Sequence, residues 1–213
     1  MTFLDLRKRF ALKSDSGLTL MEVIVAIAIM TIVATAAASL SINGVKTVAN
    51  EERSQVAVTV ANSYMEKVSG WSTAVNAAGL SAVYTGRSKG DVQAAFTAMA
   101  ARPGVAQTNA VWDTTVPVAA SIAPASTGVL PVTAVVPENG TTYNVTTLIG
   151  SCYQQATGTS GSCLAAAGAA PDSMIRVIVI VQWNAGAQCA ASGCYYQTST
   201  LLDPSADLEW VQH

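Results

Sequence analysis

The chain has 213 residues, of which 51% are hydrophobic and only 11% are charged, and its net charge is −2. That length accommodates one membrane helix and one globular domain. The first 17 residues contain four basic and two acidic side chains, and no basic cluster follows them. Binding of nucleic acid through a basic surface is therefore not expected.

The first predicted element is an apolar segment directly after these basic residues. Residues 23–45 carry no charge, and about 20 residues of helix, at about 1.5 Å each, cross the hydrocarbon core of a bilayer. The basic residues before the segment would stay cytoplasmic, which places the rest of the chain outside the inner membrane. A secretory signal cut near Ala34-Thr35-Ala36, or a simple anchor, has the same profile. Neither accounts for Glu22, because a carboxylate at that depth costs a few kcal/mol and normally has a partner.

The residues around this glutamate carry a family resemblance. Gly17-Leu18-Thr19-Leu20-Met21-Glu22 resembles the processing site of type IV prepilins and type II secretion pseudopilins. The resemblance implies that a prepilin peptidase removes residues 1–17 as a leader by cutting after Gly17. Leu18 would become the N-methylated first residue, where most relatives have phenylalanine. Glu22 would serve assembly by pairing with the N-terminal amine of a neighbouring subunit, which compensates a buried charge and sets axial register.

A single helix is predicted over residues 18–70, in two halves. Residues 18–45 form a transmembrane and polymerisation half, and residues 46–70 form an amphipathic half. Its apolar side chains recur at helical spacing and should pack on a sheet: they are Val48, Val56, Val60, Met65 and Val68. Gly70 is expected to end the helix, and Gly44 is expected to be a soft point, since glycine costs about 1 kcal/mol relative to alanine in a helix.

Residues 71–128 are predicted to be a variable linker with one short helix. That helix is expected over residues 91–101, with Asp91 as its N-cap and Arg102-Pro103-Gly104 ending it. Residues 129–213 then form an antiparallel sheet of about four strands, at 129–136, 141–150, 174–183 and 195–202, with 111–118 as a possible addition. The segment Pro137-Glu138-Asn139-Gly140 is typical of a hairpin.

The four cysteines, which all lie in the last third of the chain, are interpreted as two disulfides in an oxidising compartment. Zinc is the alternative, although no paired CxxC spacing supports it. In a meander of the last three strands, the loop with Cys152 and Cys163 lies at one end of the sheet. The loop with Cys189 and Cys194 lies about 30 Å away at the other end. Because a disulfide needs Cα atoms within about 7 Å, the local pairs Cys152–Cys163 and Cys189–Cys194 are predicted.

Signatures of catalysis are absent from the sequence. It contains no GxSxG, HExxH or Walker motif, and its single histidine is His213. Asp203, Asp207 and Glu209 suggest calcium, but a solvated turn is the favoured interpretation because no calcium-loop spacing is present. The sequence therefore predicts a protein that is not an enzyme, without a cofactor or a metal.

Together these features predict an α+β, pilin-like protein: a long N-terminal helix, half transmembrane, packed on a C-terminal antiparallel β-sheet with two disulfides. The leader, the apolar helix and the late strands look most like the PilV-type minor pilins and the I-type minor pseudopilins. The resemblance implies other pilin or pseudopilin subunits, prepilin peptidase, the inner-membrane assembly platform and membrane lipid as partners. It also implies the inner membrane as the site of insertion and a surface pilus or an envelope pseudopilus as the destination. A secreted domain and an anchored, non-polymerising module are the remaining alternatives.

Overall fold

The computed structural model describes residues 19–73, 83–118, 130–154, 163–164, 172–184, 189 and 193–202. Two helices and six strands lie within these ranges: α1 (Leu20–Thr73), α2 (Lys89–Ala98), β1 (Asn109–Ala110), β2 (Thr133–Glu138), β3 (Thr141–Gln154), β4 (Cys163–Leu164), β5 (Asp172–Trp183) and β6 (Cys194–Leu202). The chain divides into two compact units, Met1–Ala49 and Asn50–His213. The long apolar helix and the antiparallel sheet confirm the predicted fold class.

Helix α1 is continuous through both glycines at which the sequence predicted a change. It passes Gly44 without interruption and ends at Thr73, so the prediction of an end at Gly70 was wrong. A Cβ built on either glycine would meet nothing within 4 Å. The helix therefore tolerates both glycines, each at the cost of backbone entropy, and no neighbouring group requires a glycine there.

The sheet is a meander with its two longest strands at the centre. Its strand order is β1-β3-β5-β6, every pair is antiparallel, and β2 and β4 also pair with β3. The predicted meander of the last three long strands is thus confirmed. The hairpin between β2 and β3 turns at Asn139 and Gly140, which have φ of 48° and 70°, and this pair of positive φ angles is what a two-residue type I′ turn requires.

One face of the sheet packs against the second half of α1. Alternate residues of β5, from Ile175 to Trp183, lie on that face and are buried, as predicted. Helix α1 contributes a buried stripe at spacings of three and four residues: Ala57, Val60, Ala61, Tyr64 and Val68. Val56 and Met65 flank this core. Val48 was also predicted to join the stripe, but 68% of its surface is exposed, so that part of the prediction was wrong.

The opposite face of the sheet is covered by α2 and the loop after it. Ile178 and Ile180 of β5 lie in a second core with Val92 and Ala95 of α2. Because both faces of β5 are buried, the strand is apolar at consecutive positions, as strands buried on both sides are.

The N-cap of helix α2 lies three residues earlier than predicted. Its N-cap is Ser88, not Asp91, because the Ser88 hydroxyl accepts a hydrogen bond from the Asp91 backbone N–H (3.1 Å). Asp91 instead lies in the first turn, where its Oδ2 accepts a hydrogen bond from the Ser88 hydroxyl (2.8 Å). The helix also ends earlier, with Met99 as its C-cap.

Two predicted strands are displaced along the chain. Strand β2 begins at Thr133 and not at 129, since Pro131 has no backbone N–H to donate to a ladder. The additional strand is Asn109–Ala110, whereas residues 111–118 contain a turn in which the Val116 backbone N–H donates to the Asp113 carbonyl (3.3 Å).

A buried arginine closes the edge of β3 between β2 and β1. The Thr147 backbone N–H donates to the Val132 carbonyl (2.8 Å), while Val111 donates to the Ile149 carbonyl (3.2 Å). Between these points, Nη2 of Arg87 donates to the Thr147 carbonyl. Arg87 is fully buried, and burial lowers its pKa to about 9. The guanidinium thus fills the gap along β3 that neither β1 nor β2 covers.

Candidate assembly site

Thr19 caps the N-terminus of α1, three residues before the glutamate that the sequence singled out. The Thr19 hydroxyl and the Thr19 carbonyl both accept hydrogen bonds from the Glu22 backbone N–H, at 3.3 Å and 2.9 Å. Thr19 and Glu22 stand at the two positions that the Ser/Thr-x-x-Glu box requires. The carboxylate therefore lies in the first helical turn, where the partial positive charge of the helix end favours an anion.

Glu22 is exposed, and so are the large apolar side chains that follow it. The exposed fraction is 58% at Ile29 and 68% at Ile32, and no residue of the most apolar stretch of α1 is buried. By length and composition, α1 is able to cross a membrane. Surface of this kind requires lipid or other protein around it.

Several hydroxyl groups within the apolar stretch are satisfied by the helix itself. Thr31 donates to the Ile27 carbonyl (2.7 Å), and Thr35 donates to the carbonyls of Thr31 (3.0 Å) and Ile32 (2.9 Å). Because these bonds are internal to α1, the hydroxyls add little cost in hydrocarbon. Glu22 thus differs from every other polar side chain between residues 20 and 42 in carrying a charge.

Both predicted disulfides are present. Cys152 and Cys163 have Cα atoms 5.4 Å apart, and Cys189 and Cys194 have Cα atoms 5.0 Å apart. The first bond joins β3 to β4, and the second ties the start of β6 to the chain just before it. The two bonds hold opposite ends of the β3–β5–β6 meander, as the predicted topology required.

Three other titratable groups have pKa values shifted by contacts within the fold. The carboxylate of Asp113 accepts hydrogen bonds from the Gly86 backbone N–H (2.8 Å) and from the Thr115 backbone N–H and hydroxyl, which lower its pKa. Burial raises the pKa of Tyr64 and Tyr143. Within the described ranges, no three His, Cys, Asp or Glu residues lie close enough together to hold a metal ion.

Comparison with known families adds one finding about the N-terminus. Residues 12–38 match the prokaryotic N-terminal methylation motif. The chain carries the signature of type IV pilins and pseudopilins. No curated protein and no solved structure matches the chain.

The pilin signature covers the predicted processing site and residues 20–38 of α1. Gly17 and Leu18 lie within the matched residues but outside the part of the chain that the structure describes. A prepilin motif in front of an exposed apolar helix fits a membrane-anchored pilin that later joins a filament. Pilin-type proteins are structural subunits that assemble with one another after processing by prepilin peptidase.

The structure also shows a participant that the sequence interpretation missed. The sequence interpretation treated Thr19 only as part of the motif. In the structure its hydroxyl accepts a hydrogen bond from the Glu22 backbone N–H and so caps the start of α1. The spacing Thr19-x-x-Glu22 before an apolar run is itself a helix-start signal and would have identified the cap. Asp203, Asp207 and Glu209, which suggested calcium, lie outside the described residues.

Proposed function

We propose that the chain is a minor pilin subunit of a type IV pilus, inserted in the inner membrane and incorporated into the filament or its initiating complex. The observation that carries this proposal is the methylation motif over residues 12–38 followed by the exposed apolar helix α1. A leader with an ordinary cleavage site would release the folded domain, whereas cleavage before α1 leaves the apolar helix attached to it. The subunit then has an anchor before assembly and a hydrophobic core element after it.

In this proposal, residues 1–17 are the leader, and Leu18 is the N-methylated first residue of the mature chain. The new amine lies next to the N-terminus of α1, where the helix dipole disfavours positive charge. The Glu22 carboxylate of a neighbouring subunit offsets that charge, and its own charge is offset in return. Such reciprocal pairing is satisfied only when subunits stand in one axial register, so Glu22 is the residue that selects it.

The proposed organisation of the chain follows from these roles. Residues 18–45 form the transmembrane and polymerisation segment, and residues 46–73, the rest of α1, carry the globular part. Residues 74–128 form the variable linker, which also contributes β1 to the sheet, and residues 129–213 form the remainder of the sheet domain. The assembly platform and membrane lipid are further proposed partners, and the pilus at the cell surface is the proposed destination. A minor pseudopilin of a type II secretion system is the alternative, since pseudopilins share the motif.

The deciding experiment is mass analysis of the N-terminus of the mature protein, purified from membranes of its own host. We expect a chain that begins at Leu18 and carries one added methyl group. A chain that begins near Ala37 would show ordinary signal cleavage and overturn the proposal. The identity of the co-purifying major subunit then separates a pilus from a secretion pseudopilus.

A further inference from the structure

Strand β6 is the outermost strand on one side of the sheet, and it lacks the features that protect such strands. It comes last in the order β1-β3-β5-β6, and among the described residues it pairs only with β5. From Cys194 to Leu202 it contains no charged residue, no proline and no glycine. Strand β2, on the other side of the sheet, has Pro137 and Glu138, which discourage pairing with another chain. The outer edge of β6 is therefore able to pair with a further strand.

The register shows which backbone groups of β6 point away from the sheet. The Thr147 backbone N–H donates to the Val132 carbonyl on the far side of β3, so Thr147 does not bond to its β5 partner Val179. Val179 instead bonds to its partner in β6, which is Thr198. Because bonding alternates along an antiparallel strand, the two neighbours of Thr198 turn their N–H and C=O groups outward. The same holds for every second residue of β6: Tyr195, Gln197, Ser199 and Leu201.

These outward backbone groups form a regular row along the edge. In the part of the chain that the structure describes, no backbone group bonds to them. An extended segment of about seven residues, at about 3.4 Å each, would span the row from Tyr195 to Leu201. Addition of a strand to an exposed sheet edge obtains its affinity from such main-chain hydrogen bonds and its specificity from side chains beside them.

The Tyr195 end of this edge carries a positive charge. The guanidinium carbon of Arg102 lies 3.8 Å from the centre of the Tyr195 ring, and no described carboxylate forms an ion pair with it. Tyr195 is 42% exposed. On a strand added to β6, the residue opposite Tyr195 would have its Cβ about 4.5–5.5 Å from the Cβ of Tyr195, and a carboxylate there reaches the guanidinium. The edge thus favours a segment with an acidic residue at that position.

We propose that the outer edge of β6 binds an extended segment of a different pilin-type subunit, which adds to the sheet as a further strand and places a carboxylate opposite Tyr195. Backbone hydrogen bonds supply the affinity, and the charge of Arg102 selects the segment. The inference rests on the proposed function, because a minor subunit has subunits of other kinds as its neighbours. The contact adds a sequence-selective link within the sheet to the pairing of Glu22.

The direct test places a photo-crosslinking amino acid at Ser199, an exposed residue of the outer edge, in the full-length chain expressed in its own host. We expect a cross-link to a different pilin-type subunit. A cross-link to a second copy of the chain, to lipid or to residues 203–213 of the same chain would overturn the inference. So would the absence of a cross-link in filaments that contain the variant.

The backbone hydrogen bonds are tested at the same residue. Ser199→Pro removes an N–H that points outward, so the bonds between β5 and β6 remain while the proline ring obstructs an added strand. Ser199→Ala keeps the N–H and is the matched control. We expect the proline variant to lower co-purification of the cross-linked subunit by about tenfold, since a lost donor and a steric clash act together. Equal recovery with the two variants would contradict strand addition.

The charge is tested by Arg102→Gln, a change outside β6 that leaves the backbone of the strand untouched. We expect co-purification to fall by about two- to fivefold at low salt, as for a partly exposed ion pair, and to match the wild type in about 1 M salt, where charges are screened. Lys67→Gln, which removes the cation 4.2 Å from the centre of the Tyr64 ring, is the matched control and should have no effect. Full recovery with Arg102→Gln at low salt would overturn the inferred choice of an acidic segment.

Two outcomes separate the β6 edge from the proposed function. If the mature chain begins at Leu18 and enters filaments without a cross-link from Ser199, only the inference about the β6 edge fails. If the wild-type chain begins elsewhere and joins no filament, the proposed function fails as well.

Discussion

Gly150 offers a sharp test of how the sheet and the loop above it are packed. It lies in β3, where it pairs with Ala110 of β1. A Cβ built on Gly150 would stand 2.2 Å from the Asn109 carbonyl oxygen and 2.6 Å from Cγ2 of Thr108. The close approach of two backbones, rather than a positive φ, requires glycine here. Gly150→Ala should therefore force β1 away from β3.

The cost follows from the displacement. Real Cβ contacts stay above 3.0 Å, so the Asn109 carbonyl must retreat by about 0.8 Å, the difference between 3.0 and 2.2 Å. Overpacking of this kind costs about 1–3 kcal/mol. The adjacent hydrogen bond from Val111 to the Ile149 carbonyl (3.2 Å) is strained with it, which adds about 1 kcal/mol. We expect a loss of about 2–4 kcal/mol in the free energy of unfolding.

The assay is thermal unfolding of the purified full-length chain in detergent, followed by near-ultraviolet circular dichroism. At about 2–4 °C per kcal/mol for a chain of this size, the midpoint should fall by about 4–16 °C. Gly70→Ala is the matched control, since a Cβ there meets nothing within 4 Å and should stabilise the helix by about 0.5–1 kcal/mol. A Gly150→Ala variant with the midpoint of the wild type would refute the proposed close approach of β1 to β3.

Three further changes have defined outcomes. Glu22→Ala should leave membrane insertion intact but remove the chain from sheared filaments, and Glu51→Ala should have no effect; filament entry by the Glu22 variant would contradict the assembly role. Replacing Cys152 and Cys163 together by serine should cost about 3 kcal/mol of stability through loop-closure entropy, which is measured as a lower unfolding midpoint. An unchanged midpoint would show that this disulfide does not stabilise the fold. Hydrogen bonds to Asp113 lower its pKa from the ordinary value of 3.8. The stabilisation of the fold by this carboxylate is therefore fully present above pH 3.8 and disappears as the pH falls through the folded-state pKa. Asp113→Asn should therefore be less stable than wild type at neutral pH and equal to it in strong acid; a constant difference across that range would be inconsistent with the hydrogen bonds.

Helix α2 shows why local patterns locate an element better than its ends. The sequence predicts a helix with Asp91 at its start, and Asp91 is indeed in the first turn. The cap is Ser88, because the Ser88 hydroxyl and the Asp91 carboxylate satisfy each other. Serine and aspartate are both good N-caps, so their order along the chain does not reveal which one holds the position.

The buried position of Arg87 is a feature that no local pattern predicts. Nothing in the residues around Arg87 predicts full burial, since arginine is almost never buried unless it is paired. It is buried because β2 and β1 leave a gap along β3 and the Thr147 carbonyl needs a donor there. The gap exists only once β1, which lies about 40 residues before its partners in β3, has paired with that strand.

The sequence by itself determined the elements whose signals are local. These are the processing motif with Glu22, the apolar helix behind it, the turn at Asn139 and Gly140, and the alternation along β5. The local disulfide pairs also followed, because strand length alone keeps the two cysteine loops apart. Only the tertiary structure decided that α2 covers the second face of the sheet and that Gly150 must be glycine. Those features depend on backbone contacts between residues about 40 positions apart or more, and such contacts leave no periodic trace in either partner.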